Sequence, residues 1–148
     1  MRKLILLVCG VTMMMCFLSS CDPHTGRRPI NYPNTRWVSE NPDMFFEVGE
    51  DIVGRQAVYA QITINGEIVE IMCSFEVSGA LVYFSDPSGF DSETGFPLEG
   101  INSNDVELFR GLCKFGSKKL VVTIDKNEKG FLDDSITEIV FIREDLNE

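Results

Sequence analysis

Apolar and polar positions alternate most clearly in "QAVYAQITINGEIVEIMCSFEV", residues 56–77, where Asn65-Gly66 separates two β-rich runs. Asn-Gly supplies the two positive φ values of a type I′ turn, so 56–64 and 67–77 are expected to form a hairpin. With a side-chain period of two, Val58, Ala60, Ile62 and Ile64 share one face of the first arm. Val69, Ile71, Cys73, Phe75 and Val77 share one face of the second, opposite Glu70, Ser74 and Glu76. "DMFFEV", "ALVYFS", "VELFRGLCKF", "KKLVVTID" and "ITEIVFIRE" are runs of the same kind, short and bounded by Gly, Asp, Asn or Ser. The secondary alternative to strand is a short helix opening at Asn104 with Glu107 as a capping-box variant and turning Val106 and Phe109 inward. About eight short strands joined by tight turns predict an all-β domain, a small antiparallel meander barrel or alternatively a β-sandwich. Closure into a barrel would remove exposed strand edges.

The N-terminus has a different pattern. Arg2 and Lys3 precede fifteen uncharged residues, Leu4 to Leu18, and small residues follow. This is the three-part build of an export signal. The run is short of the ~20 apolar residues that a membrane-spanning helix needs. Leu18-Ser19-Ser20-Cys21 resembles the lipobox of bacterial lipoproteins, whose cysteine is acylated and becomes the first residue of the mature chain. The resemblance implies cleavage after residue 20, lipid (diacylglycerol and palmitate-type chains) on Cys21, and attachment to the cell membrane on its extracytoplasmic side. Two acyl chains suffice for stable anchoring.

The organisation expected is a signal peptide (1–20), a lipid anchor and flexible tether (21–35), and one β domain (36–148). "DPHTGRRPINYPNT", residues 22–35, has three prolines and no apolar periodicity, and as a coil spans roughly 20 Å. The 113 residues beyond it suit one hydrophobic core.

Two further resemblances concern the domain. Trp37 in the first strand and Arg143 in the last are similar to a pair in lipocalin-like barrels, with Thr35 where those proteins carry glycine. The likeness implies that Arg143 packs over the face of Trp37 and closes one barrel end, a cation-π contact worth about 0.5–2 kcal/mol. More broadly, "TRWVSENPDMFFEV", "LFRGLCKFGSKKLVVTID" and "ITEIVFIRE" resemble a recurring class of small, uncharacterised bacterial surface lipoproteins, which brings no activity with it.

Charge narrows the partners. Removing residues 1–20 takes away Arg2 and Lys3 and no acid, leaving eleven basic residues against twenty-three acids, so net charge moves from −10 to −12. A surface of that sign repels phosphate backbones, and nucleic acid is not an expected partner. It also disfavours anionic lipid surfaces, leaving the acyl chains as the membrane contact.

Catalytic and metal chemistry find little support. The single histidine, His24, stands in the tether, which excludes a histidine triad and a multi-histidine metal site in the domain. "DKNEKGFLDDSI" starts like a calcium loop but places Lys129 at a ligand position and Ile136 at the twelfth. "SDPSGFDSETGF" gathers Asp86, Asp91 and Glu93 near glycines, which reads first as a solvated loop and second as a weak calcium site. No catalytic, cofactor or metal residues are therefore assigned. Cys73 and Cys113 either join in a disulfide, as an exported domain permits, or remain two buried thiols.

The function expected is a non-enzymatic, lipid-anchored binding protein. Its barrel mouth would take a small apolar ligand if its own phenylalanines leave room. The alternatives are an envelope protein-interaction or inhibitor module, with Phe90, Phe96 and Phe131 as contact residues, and a small carboxylate-dependent hydrolase.

Overall fold

The computed structural model describes residues 28–50, 57–76 and 79–146. Eight antiparallel strands follow one another around a closed barrel: β1 (Thr35–Glu40), β2 (Asp43–Val48), β3 (Ala57–Ile64), β4 (Glu67–Phe75), β5 (Leu81–Ser85), β6 (Glu107–Phe115), β7 (Lys119–Lys126) and β8 (Glu138–Asp145). Each strand pairs with its sequence neighbour, and β1 pairs with β8 to close the ring. The barrel, not the sandwich, is the architecture.

The β3–β4 hairpin forms where expected, with Asn65 at φ 53° and Gly66 at φ 82° and a register running from Ile64↔Glu67 to Ala57↔Ser74. Val58, Ala60, Ile62, Ile71, Cys73 and Phe75 are all buried on the inner face. Val77 lies outside the described residues. Both readings of the stretch after Asn104 hold in part, since one helical turn precedes a strand. α1 (Ser103–Val106) is a single turn capped by Asn102, whose side chain accepts from the Asn104 N–H at 3.0 Å, and Glu107 already begins β6. Asn104 is therefore inside the turn, and Phe109 reaches the core from a strand.

Aromatic rings fill the barrel along its length. Tyr32 meets Trp37 at 6.3 Å, Trp37 stacks on Phe46 at 6.0 Å, and Phe46 meets Phe141 edge-on at 5.0 Å. Phe141 continues to Phe84 at 6.5 Å, Phe84 stacks on Phe109 at 4.4 Å, and Phe109 meets Phe131 at 5.9 Å. Trp37, Phe46, Phe84, Phe109 and Phe141 have no exposed surface. Offset and edge-on pairs of this kind contribute about 0.5–1.5 kcal/mol each beyond area burial.

One end of the barrel is closed by residues expected to be tether. Arg28 donates to the carbonyl oxygens of Glu76 at 3.0 Å and Gly79 at 3.3 Å, and its guanidinium lies 5.9 Å from the Phe115 ring centre. Pro29 is buried at the start of a 3-10 turn, Pro29–Asn31. The chain is thus fixed to the barrel from Arg28, and β1 begins at Thr35. From Arg28 onward the chain forms a plug and not a coil, with Pro29 buried in it.

Arg143 sits at this same end as the cross-strand partner of Trp37. The ring beneath its guanidinium is that of Tyr32, 4.6 Å from the centroid, and not that of Trp37. Trp37 instead donates its indole N–H to the Thr35 hydroxyl at 3.1 Å. The expected cation-π closure therefore has the right end and cation but a different ring.

Candidate functional site

Residues 86–105, between β5 and β6, do not project into solvent as an open loop. The Asp86 N–H donates to the Val106 carbonyl at 2.8 Å and closes the base. Phe90 and Pro97 form an isolated antiparallel bridge, and the Leu98 N–H donates to the Gly89 carbonyl at 3.0 Å. Gly89 is buried with its α-carbon so close to Val106 that a Cβ there would lie 2.4 Å from a Val106 methyl. The loop is compact, with its own hydrogen bonds and close-packed ends.

The acids of this loop are occupied within it. Asp86 accepts from the Ser88 N–H at 2.9 Å. Asp91 accepts from the Glu93 N–H at 3.0 Å, the Thr94 N–H at 2.7 Å and the Thr94 hydroxyl at 2.9 Å. The Ser88 hydroxyl and then its N–H favour the ionised form of Asp86, Thr94 and then the Glu93 N–H that of Asp91, and both carboxyls are held below the usual aspartate range. They act as turn caps. In the β7–β8 connection, Asn127 holds buried Leu132 through two hydrogen bonds at 2.9 and 3.1 Å, and Asp125 is engaged by Arg110 at 2.8 Å. No group of three or more His, Cys, Asp or Glu side chains suited to a metal occurs among the described residues.

Where the loop folds down against the barrel wall it encloses a groove of about 530 Å³. The floor is the outer face of β4–β6, where Ser74, Tyr83 and Arg110 stand side by side in register. The roof includes Phe90, Thr94, Phe96 and Pro97, with Ser103 and Asn104 from α1 at one end.

Two register shifts aim the charged groups here. β6 slips against β5 between Phe84 and Ser85, so Glu107 pairs with Ser85. Cross-strand partners project to the same side, which puts Glu107 at the groove. β6 slips again against β7 after Arg110, which then pairs with Lys126. Glu107 is 6% exposed, and its Oε1 lies 3.3 Å from the Lys126 ammonium. Lys126 also reaches Glu128 at 3.4 Å, and Arg110 Nε bonds Asp125 Oδ2 at 2.8 Å. Each cation therefore has a carboxylate partner, and each carboxylate at the groove has a cation.

Of the aromatic loop residues expected as a contact surface, Phe90 and Phe96 line the groove and Phe131 does not. Phe131 covers the core end by packing on Phe109. Phe96 is 71% exposed, with Leu98 and Ile101 also exposed nearby.

Cys73 and Cys113 are both buried free thiols. Cys73 shares a level with Phe84 and Phe109, four residues along β6 from Cys113 and two strands away. At about 4.8 Å per strand and about 3.3 Å per residue, that offset far exceeds the Cα separation a disulfide bridges. The disulfide alternative is thereby replaced by two inert core thiols. Cys21, the expected lipid attachment site, and His24 lie outside the described residues.

The groove was not legible in the sequence, because register shifts and a folded-back loop leave no local signature. The nearest signal is the clustering of Phe90, Phe96 and Pro97 in a polar, glycine-rich stretch. Comparison with protein families, curated proteins and solved structures finds no match.

Proposed function

We propose that this chain is an exported, lipid-anchored and non-enzymatic binding protein that holds a small ligand in the groove beneath residues 86–105. The observation that carries the reading is the contrast between the two candidate spaces. The barrel interior is occupied by the ring column from Tyr32 to Phe131, whereas the outer groove is about 530 Å³, within the ~300–1,000 Å³ typical of small-molecule sites. The mouth of the barrel is thus the weaker place for a ligand. The groove's mixed lining also calls for a ligand with both polar and apolar faces. Among the described residues that line the groove Glu107 is the one acid, and glycoside cleavage by paired carboxylates needs two. That favours binding over hydrolysis. The leader and lipobox at Cys21 support the placement outside the cytoplasmic membrane.

Native mass spectrometry of the full-length chain, before and after denaturation, tests the binding role. A mass that leaves on unfolding, and whose retention is weakened by Phe96→Ala, is the expected result. A ligand retained unchanged by the variant would remove the groove from consideration. The interaction-module reading draws on the exposed apolar side chains of Phe96, Leu98 and Ile101. It would gain if Phe96→Ala abolished capture of an envelope protein while no small molecule was ever retained.

A further inference from the structure

Charge, aromatic surface and hydrogen-bonding groups at the groove together narrow the ligand class. We infer that the groove takes an uncharged short oligosaccharide, with a sugar ring laid against Phe96 or Phe90 and its hydroxyls bonded by Asn104, Glu107 and Arg110. The inference rests on the groove being the binding site, as proposed above.

Electrostatics at the groove favours a neutral ligand. Arg110 is held by Asp125 at 2.8 Å, and Glu107 faces Lys126 at 3.3 Å, so the site presents ion pairs and not a lone charge of either sign. A charged ligand would have to break or outcompete those pairs, at the cost of leaving a partner behind. A neutral ligand needs no such exchange.

Donors and acceptors at the groove suit neighbouring hydroxyls. Asn104, Glu107 and Arg110 each end in a planar group with two adjacent polar atoms or more, which suits adjacent hydroxyls on one ring. The Glu107 carboxylate is about nineteen-twentieths buried by side-chain area, and its buried Oε1 meets the Lys126 ammonium without a well-aligned hydrogen bond. Buried polar atoms in that state favour a ligand that supplies hydroxyl donors. Phe90 and Phe96 add flat apolar faces of the kind that pack on the C–H face of a sugar ring, and Phe96 is presented with 71% exposure.

Strand pairing at the groove disfavours a peptide. Peptides commonly add to a sheet as an extra strand, through an unpaired edge. Here the strands form a closed barrel, and the groove floor at Ser74, Tyr83 and Arg110 lies where β4, β5 and β6 are paired with one another, so recognition at the groove must come from side chains.

The test is calorimetric titration of the full-length chain with neutral mono- to trisaccharides of glucose, galactose, mannose and N-acetylglucosamine. Phe96→Ala and Asn104→Ala are the groove variants, and Ile142→Ser, on the exposed face of β8, is the control. At least one saccharide should bind one-to-one, weakened tenfold or more by each groove variant and unchanged by the control. Thermal melting of each variant verifies that the fold persists, and exposed Phe96 is the position where truncation leaves the core intact. No saccharide bound, or binding indifferent to both groove variants, overturns the inference. If native mass spectrometry then finds a non-sugar ligand that Phe96→Ala displaces, the groove stands and the saccharide class falls. If it finds none, both fall.

Discussion

The guanidinium of Arg143 lies over the ring of Tyr32, 4.6 Å from its centroid, and joins the last strand to the segment that precedes the first. The same guanidinium donates to the Ser117 carbonyl at 2.7 Å and pairs with Asp145 at 3.1 Å, so one side chain ties three segments at this barrel end. Its side chain is 15% exposed, which places the cation-π contact between surface and buried cases. Tyr32→Leu and Arg143→Ala, combined in a double-mutant cycle by chemical denaturation, should show coupling of about 0.5–2 kcal/mol. Additive effects within about 0.3 kcal/mol would mean that the stacking contributes nothing of its own.

Thr35 has a defined task at the start of β1. Its hydroxyl accepts from the indole N–H of Trp37, which has no exposed surface, and donates onward to the Tyr32 carbonyl. Thr35→Val keeps the shape and removes the acceptor, leaving a buried N–H unpaired. The expected loss is about 1–3 kcal/mol, read from the urea midpoint with the slope unchanged. A loss below about 0.5 kcal/mol would show that water or another group replaces the hydroxyl.

These two relationships mark where the sequence was readable and where it was not. The β3–β4 hairpin was legible because Asn65-Gly66 and the period-two pattern act within a few residues. The inner faces of β2, β7 and β8 follow from the same alternation. The Arg143–Tyr32 stack was hidden because residues 28–34, rich in proline, have the composition of a linker, and only barrel closure gives them a surface to cover. The groove was hidden for a related reason. Glu107 and Arg110 lie three residues apart in a strand, a spacing that predicts opposite faces, and the slip between Phe84 and Ser85 brings both to one side.

The thiols offer a prediction with a sign. Burial pushes the Cys73 thiol well above the usual range, with Cys113 adding to it, and burial pushes Cys113 up to about 12 against a smaller opposing effect of Arg28. The folded chain therefore keeps its thiols protonated where the unfolded chain ionises near pH 8.5–9. Stability from this source is fully present below about pH 8 and declines as pH rises through 9 toward 12. In Cys73→Ser the raised pKa is gone but a buried hydroxyl is introduced, so Cys73→Ala is the cleaner comparison, and its urea midpoint should fall less steeply than wild type between pH 8 and 10. Thiol-reactive dye should label neither cysteine until the protein unfolds, and a reductant should leave the melting temperature unchanged. Rapid labelling of the native protein would place at least one thiol outside the core.

Anchoring is testable at a single residue. If the lipobox reading is right, Cys21→Ala removes the acyl acceptor without touching the barrel, because the described fold begins at Arg28 and makes its first contacts with Glu76 and Gly79. The wild-type chain, expressed in bacteria with radiolabelled palmitate, should take up label and sediment with membranes. Cys21→Ala should take up none. With a net charge of −12 after removal of residues 1–20, a domain freed of both leader and lipid has no electrostatic attraction to anionic lipid and should stay in the soluble fraction at any salt concentration. A wild-type chain that takes up no label yet stays on membranes through a salt wash would point instead to an uncleaved apolar segment at Leu4–Leu18 as the membrane contact. That outcome would leave the barrel and its groove intact while replacing the lipid with a peptide anchor, since the two differ only in what precedes Arg28.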